Sequence, residues 1–449
     1  MPDRFVTTLM KNMIVGLLVL IPQIGFSGMS YLGGIQVNEP DPEAWIRTLK
    51  QEGMNTIELT TYSIQGDWDT ADLSFKKENP GLLREVRAAK TLGLKVVLIL
   101  RTALDHARPK NKFLWHGLIM PKSDEELEKW FDEYTDFVLH WARFAQREGV
   151  DILGISSEMN SLTSTLPLDR IPDLQGWYLD RLKQNEIKES LLRHVEEIAE
   201  EHLWVRGIGN YSGLEAYLND KQAAEESWAK QTTYFFDDDP RARINDRRLK
   251  LDRMWRKLID RTRTQFRGRI TYAANFDQYH EVGFWDALDL MGINAYFPLR
   301  KSLLEKHEEN RFESMLVSAW SQVFSEIDRF VRRQGLQHLP ILFTEIGYTR
   351  RKNCTIEPWA DTGFSLVEPP FKQEKRLVIW QKQPEEPTER ALAVRALYQA
   401  SRNRTENPLV GLLYWKLSTV PAHQKIEPFV CIIGTRTKDP LLESLQKFR

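Results

Sequence analysis

Along residues 124–148 the large apolar side chains Leu127, Trp130, Phe131, Tyr134, Phe137, Val138, Trp141 and Phe144 fall three or four positions apart. That spacing predicts a long helix with one buried face, which Gly149 ends. Residues 151–155 (DILGI) then form a short apolar run of the kind a buried strand shows. The same alternation repeats along the chain. Strand-like runs occupy 55–61 (NTIELTT), 95–100 (KVVLIL), 269–273 (RITYA), 287–293 (ALDLMGI), 340–343 (PILF) and 410–415 (VGLLYW), and a first strand lies around Met29-Ser30-Tyr31. Helical patterns at 42–52, 81–92, 311–334 and 388–402 separate them. Eight strands joined by helical crossovers close most naturally into an α/β architecture, the (β/α)8 TIM barrel. An open doubly wound sheet is the alternative, weakened because no G-x-G-x-x-G follows the first strand.

Between the fourth and fifth strands the pattern changes to long charged helical segments, 186–202 and 241–267, and residues 160–268 are expected to be a helical insertion. The run 204–208 in it is a further strand candidate. The proline-rich stretch 354–387 is expected to form a long loop over the barrel mouth. At the amino terminus, residues 13–24 (MIVGLLVLIPQI) follow Arg4 and Lys11 and precede small residues at 25 and 27. A dozen apolar residues interrupted by Pro22 are short for a span of ~20, so residues 1–27 are expected to be a signal peptide or membrane anchor, with a packed helix as the alternative. The barrel would then occupy residues 28–449, and the protein is expected to be secreted, periplasmic or membrane-anchored, with a cytoplasmic location as the alternative that goes with the packed helix.

Composition narrows the partners. The chain carries 62 Lys and Arg against 63 Asp and Glu, so it has no global positive field for nucleic acid. The 42% hydrophobic content is that of a folded globular chain. Two cysteines, Cys354 and Cys431, make neither a disulfide framework nor a thiolate zinc site. Nine His without H-x-H or H-E-x-x-H argue against a catalytic metal, and nothing points to a cofactor.

In a barrel the chemistry belongs at the carboxyl ends of the strands. There the sequence places Tyr62, Arg101, Glu158, Asn275, Asn294, Tyr296, Glu345 and Trp415. Glu158 and Glu345 end apolar strands, where a carboxylate is costly unless it is paired or used. The structural alternative is a buried ion pair of either one with Arg101 or Lys416. Two carboxyl groups about 5 Å apart in one mouth are what a retaining glycosidase needs: one protonated to release the leaving group, the other ionised to attack.

The segments Ile155-Ser156-Ser157-Glu158, Gly292-Ile293-Asn294-Ala295-Tyr296 and Phe343-Thr344-Glu345-Ile346-Gly347 resemble the clan A glycoside hydrolases. With Tyr414-Trp415 near the end, the order of motifs is most similar to glycoside hydrolase family 113, the β-mannanase family. The resemblance implies Glu158 as acid/base, Glu345 as nucleophile and Tyr296 as the donor that keeps the nucleophile ionised. It implies a substrate of β-linked oligo- or polysaccharide. Many clan members carry Asn directly before the acid/base for the sugar 2-OH, and this chain has Ser157 there.

Sugars are bound by stacking on aromatic rings while polar groups take the hydroxyls. Trp415, Tyr62, Trp68, Trp115 and His116 are therefore expected to line the cleft, with Arg101, Asn275 and Asn294 as polar contacts. Trp130, Trp141, Trp255 and Trp285 are expected in the core. Two other functions compete. A carbohydrate-binding barrel without turnover is favoured by Ser157, and a barrel enzyme using a carboxylate as a proton-transfer base would want a phosphate-binding Gly-rich loop that is not evident.

Overall fold

The computed structural model describes residues 29–166, 178–193, 211–234, 240–359, 365–367, 377–379 and 383–449. Eight parallel strands close on themselves: β1 Tyr31–Gln36, β2 Thr56–Gln65, β3 Lys95–Leu104, β4 Ile152–Ser157, β5 Arg269–Asn275, β6 Leu290–Asn294, β7 Ile341–Ile346 and β8 Leu409–Ser418. Each pairs with the next, and β1 pairs with both β2 and β8, so the sheet is a closed (β/α)8 barrel. Val97 and Ile99 of β3, Ile152 of β4, Ala273 of β5, Leu290 of β6, Leu342 of β7 and Leu413 of β8 form one cluster inside it. Their neighbours of opposite parity, such as Leu98, Leu153 and Phe343, face the surrounding helices in a second, larger cluster. Alternation along a strand thus decides what lines the barrel and what seals it.

The helix of residues 124–148 forms as its spacing predicts, as α3, Asp124–Glu148. Ser123 caps its first turn by accepting from the Glu126 amide, and Gly149 ends it with φ 72°. Around the barrel also lie α1 Pro42–Gln51, α2 Pro80–Thr91, α7 Phe312–Gln334 and α8 Pro387–Ser401. Between β4 and β5 are α4 Arg181–Arg193, α5 Leu214–Tyr234 and α6 Pro240–Gln265. Of these, α6 packs against α3 and buries Trp255, so at least this part of the charged segment is the barrel's own crossover helix. The strand candidate at 204–208 and the expected signal or anchor at 1–27 lie outside the described residues. Among the described residues no helix is long and apolar enough to cross a membrane.

Three strands differ from their expected bounds for identifiable reasons. β1 begins at Tyr31 and runs through Gly33-Gly34, which look like a break in sequence. A side chain at Gly33 would bring a Cβ to 1.7 Å from the Thr56 carbonyl oxygen, so the close β1–β2 approach requires glycine. β2 and β3 continue four residues past their apolar runs because they stay paired from Thr56–Lys95 to Gln65–Leu104. Of the polar residues in that extension, Tyr62 and Arg101 face the mouth, whereas Ser63 and Thr102 bond each other at 3.0 Å and Gln65 accepts from Trp130 Nε1 of α3 at 2.8 Å. Cys354 and Cys431 are both buried free thiols.

Candidate active site

Glu158 follows β4 directly. Its backbone takes the left-handed conformation, φ 53°, which residues other than glycine rarely adopt and which clusters at functional sites. Its amide donates to the Ala273 carbonyl of β5 at 2.9 Å, which fixes the turn. The carboxylate Oε1 accepts from Asn294 Nδ2 at 2.9 Å, and Oε2 lies 3.6 Å from His116 Nε2. Burial pushes this carboxyl up, but His116, Asn294 and the charge of Arg101 outweigh it and hold it below its usual range.

Glu345 lies at the end of β7, where the ladder to β6 shifts register so that Glu345 rather than Thr344 stands beside Asn294. Tyr296 Oη donates to its Oε2 at 2.7 Å, and the Arg101 guanidinium donates to Oε1. Gly347 leaves room for that tyrosine: a Cβ there would come within 2.9 Å of its ring. Burial pushes the Glu345 carboxyl above its ordinary range, Arg101 pulls it back, and the charge of Glu158 pushes it up again. The two carboxyls therefore sense each other across the mouth. Glu345 is the one of the pair that takes Arg101, while Lys416 pairs with Glu427 at 3.2 Å. The buried ion pair expected as a structural alternative is thus part of the site itself.

The other expected residues divide into three groups. Trp415, Tyr62 and His116 stand at the mouth: Trp415 is half-buried with the Arg101 guanidinium 5.1 Å from its ring, and Tyr62 is 45% exposed. Trp115 is half-buried, edge-on to His116 at 5.1 Å, and packs on the core. Asn275 is half-buried and its side-chain oxygen accepts from the Phe276 amide at 3.0 Å, which ties it to its own turn.

Three expectations need correction. Trp68 does not line the cleft. It is 3% exposed and packs against Trp228 of α5 at 6.4 Å. Asn294 is fully buried, with its oxygen accepting from Thr344 Oγ1 at 2.8 Å and its nitrogen turned to Ser157 and Glu158, so it orients the carboxylate instead of taking a sugar hydroxyl. Arg101 is committed to Glu345 and also faces Glu58 at 3.7 Å, which makes it a positioning group.

Two residues were passed over in the sequence. Asp277, exposed at the rim, has its carboxyl pushed up to about 6 by its crowded surroundings and by the charge of Glu158. Glu58 is buried within β2. A carboxylate between Ile57 and Leu59 was the available signal for it. Among the described residues no cluster of His, Cys, Asp and Glu is arranged to hold a metal ion.

The sequence model of glycoside hydrolase family 113 matches residues 31–165 and 245–376. The unmatched stretch between them covers α4 and α5. A comparison with curated proteins gave no match. Among solved structures, the chain superposes on the family 113 β-mannanase AaManA from Alicyclobacillus acidocaldarius in complex with ManMIm at 16% identity and a TM-score of 0.53, covering 93% of this chain and 96% of that one. It also superposes on a family 113 β-1,4-mannanase at 14% identity and a TM-score of 0.55, covering 94% and 99%. These likenesses establish the same barrel. With more than half of its residues matched by the family model and with carboxylates at the ends of β4 and β7, the chain belongs to glycoside hydrolase family 113.

Proposed function

We propose that this glycoside hydrolase works by double displacement with retention of configuration, and that its substrate is a β-linked glycan, β-mannan first. The observation that carries the mechanism is the pair Glu158 and Glu345, facing one mouth from β4 and β7 in unlike environments. In the first step the Glu158 carboxyl gives its proton to the glycosidic oxygen while the Glu345 carboxylate attacks the anomeric carbon. The bond to the leaving sugar breaks with its electron pair going to that oxygen. In the second step water attacks the same carbon as Glu158 takes its proton, and the bond to Glu345 breaks.

In the free protein the acidities run the other way, with Glu158 lowered and Glu345 raised. Substrate corrects both. A sugar that displaces water from the mouth disfavours the Glu158 anion, and positive charge developing at the anomeric carbon stabilises the Glu345 anion. β-Mannan is preferred because the family 113 enzymes of the same fold are β-mannanases. Ser157 favours the reading of a binding barrel without turnover. Against it, a binding barrel gives no reason to hold one carboxylate on an arginine and a tyrosine and the other on an amide and a histidine.

Proton NMR of the first product formed from mannan oligosaccharides tests the proposal: the β-anomer is expected first. An α-anomer as first product rules out double displacement. Turnover of glucan or xylan but not mannan changes the substrate and leaves the mechanism standing.

A further inference from the structure

The chemistry above leaves Glu58 without a task. It faces the barrel interior from β2, beside Val97 of β3 in register, with 1% of its surface exposed. Neither carboxylate oxygen has a hydrogen-bond partner among the described residues. Arg101 Nη2 lies 3.7 Å from Oε1, beyond hydrogen-bond range, and that same nitrogen donates to Glu345. Arg101 Nε is buried and also without a partner. One guanidinium thus stands between two buried carboxyl groups, Glu58 on β2 and Glu345 on β7, with Tyr62, Glu158 and Tyr296 as further ionisable groups around it.

Two anions on one cation leave a net charge in a dry place, and a proton is the least costly relief. The geometry says which group holds it. Glu345 receives Tyr296 and Arg101, whereas no donor among the described residues lies within hydrogen-bond range of Glu58. We propose that Glu58 is a proton-holding positioning residue: neutral in the working enzyme, it leaves the charge of Arg101 to Glu345, and when it ionises it draws Arg101 off the nucleophile. Burial favours the neutral form strongly, the charge of Glu345 adds to this, and Arg101 opposes it. Loss of the proton to solvent puts a second anion below Arg101, whose unused Nε then has a partner. The cost falls on Glu345, which loses its donor and its alignment.

The activity part of this inference rests on double displacement, so two measurements are needed. The first removes the acid/base from the profile. Glu158→Ala and Glu158→Ala/Glu58→Gln are compared on an aryl β-mannoside with a good leaving group, with azide as acceptor. The fall of kcat/KM at alkaline pH is expected to move upward by at least about one pH unit in the double variant. A fall at the same pH in both overturns the inference.

The second measurement needs no activity: denaturant unfolding of the wild type and Glu58→Gln across pH. A carboxyl raised in the folded state contributes stability that is complete below its unfolded value and is lost as pH rises through its folded value. Glu58→Gln cannot ionise and is expected to gain on the wild type over that window. Parallel curves overturn the inference whatever glycoside is hydrolysed. The expected divergence in a protein that hydrolyses none supports the proton on Glu58 while removing the double-displacement reading. Glu58→Met, apolar and of similar length, serves the same comparison if the amide is not tolerated.

Discussion

The ends of β4 and β7 carry the same functional group and are built in opposite ways. Glu158 sits on a left-handed turn, keeps some contact with the mouth, and faces one amide and one histidine. Glu345 sits in the strand itself, fully enclosed, and takes a guanidinium and a phenol. A carboxyl that must give up a proton and take it back needs neutral or titrating partners and a route to solvent. A carboxylate that must stay charged until it attacks needs a fixed cation. Under the double displacement we propose, the strand-end neighbours divide two roles between identical side chains.

The largest break in this comparison comes from deleting each carboxyl. Glu158→Ala is expected to lower kcat/KM on natural glycosides by about 10²–10⁴-fold, the range of general acid–base catalysis. Glu345→Ala should lose more, because no covalent step remains. Added azide should restore turnover of an activated aryl glycoside to Glu158→Ala and yield the β-azide, since only the resolving step is missing there. If the two variants respond alike to azide, their roles are not distinct.

Tyr296→Phe probes the β7 side alone. Losing a hydrogen bond to a charged group costs about 1.5–3 kcal/mol, which corresponds to roughly 10- to 150-fold in rate. The loss should appear in kcat, and because Tyr296 holds the Glu345 carboxyl down, the variant should lose more stability than the wild type as pH rises through that carboxyl's raised range. An effect confined to KM would place Tyr296 on the substrate instead of on Glu345.

His116→Ala probes the β4 side and should have the smallest effect. After burial, which opposes it, His116 is the largest influence holding the Glu158 carboxyl below its usual range. Its removal raises that carboxyl, so the acid form persists to higher pH and the alkaline limb of kcat/KM on an unactivated glycoside moves up. The sign has a counterpart in stability. A lowered carboxyl contributes above its unfolded value and loses that contribution as pH falls through its folded value, so the variant should lose less than the wild type on acidification. A limb that moves down would show that His116 does not act by holding the Glu158 carboxyl down.

Much of this was legible before the structure. The helix α3 follows from the spacing of Trp130, Tyr134 and Trp141 alone, since a 3.6-residue period buries one face whatever it packs on. Glu158 and Glu345 stand out because a carboxylate at the end of an apolar strand is costly. Trp68 misled for the converse reason: position after β2 suggested the cleft, but Trp228, far along the chain, covers it. Asn294 was visible as a polar strand end, yet whether its amide meets a sugar or Glu158 depends on Thr344 and Ser157 beside it.

The sequence by itself determined the alternation of strands and helices, the closed barrel that eight such units favour, and the presence of two carboxyls at the ends of apolar strands, because these depend on local periodicity and on the cost of burying charge. Only the tertiary structure decided which partners each carboxyl has. The register shift that brings Glu345 to Asn294, the turn that sets Glu158, and the single guanidinium shared by Glu345 and Glu58 arise where strands from distant parts of the chain meet. Proton affinity is set by such neighbours within a few ångströms, and no spacing along one strand encodes what the strand across the barrel supplies.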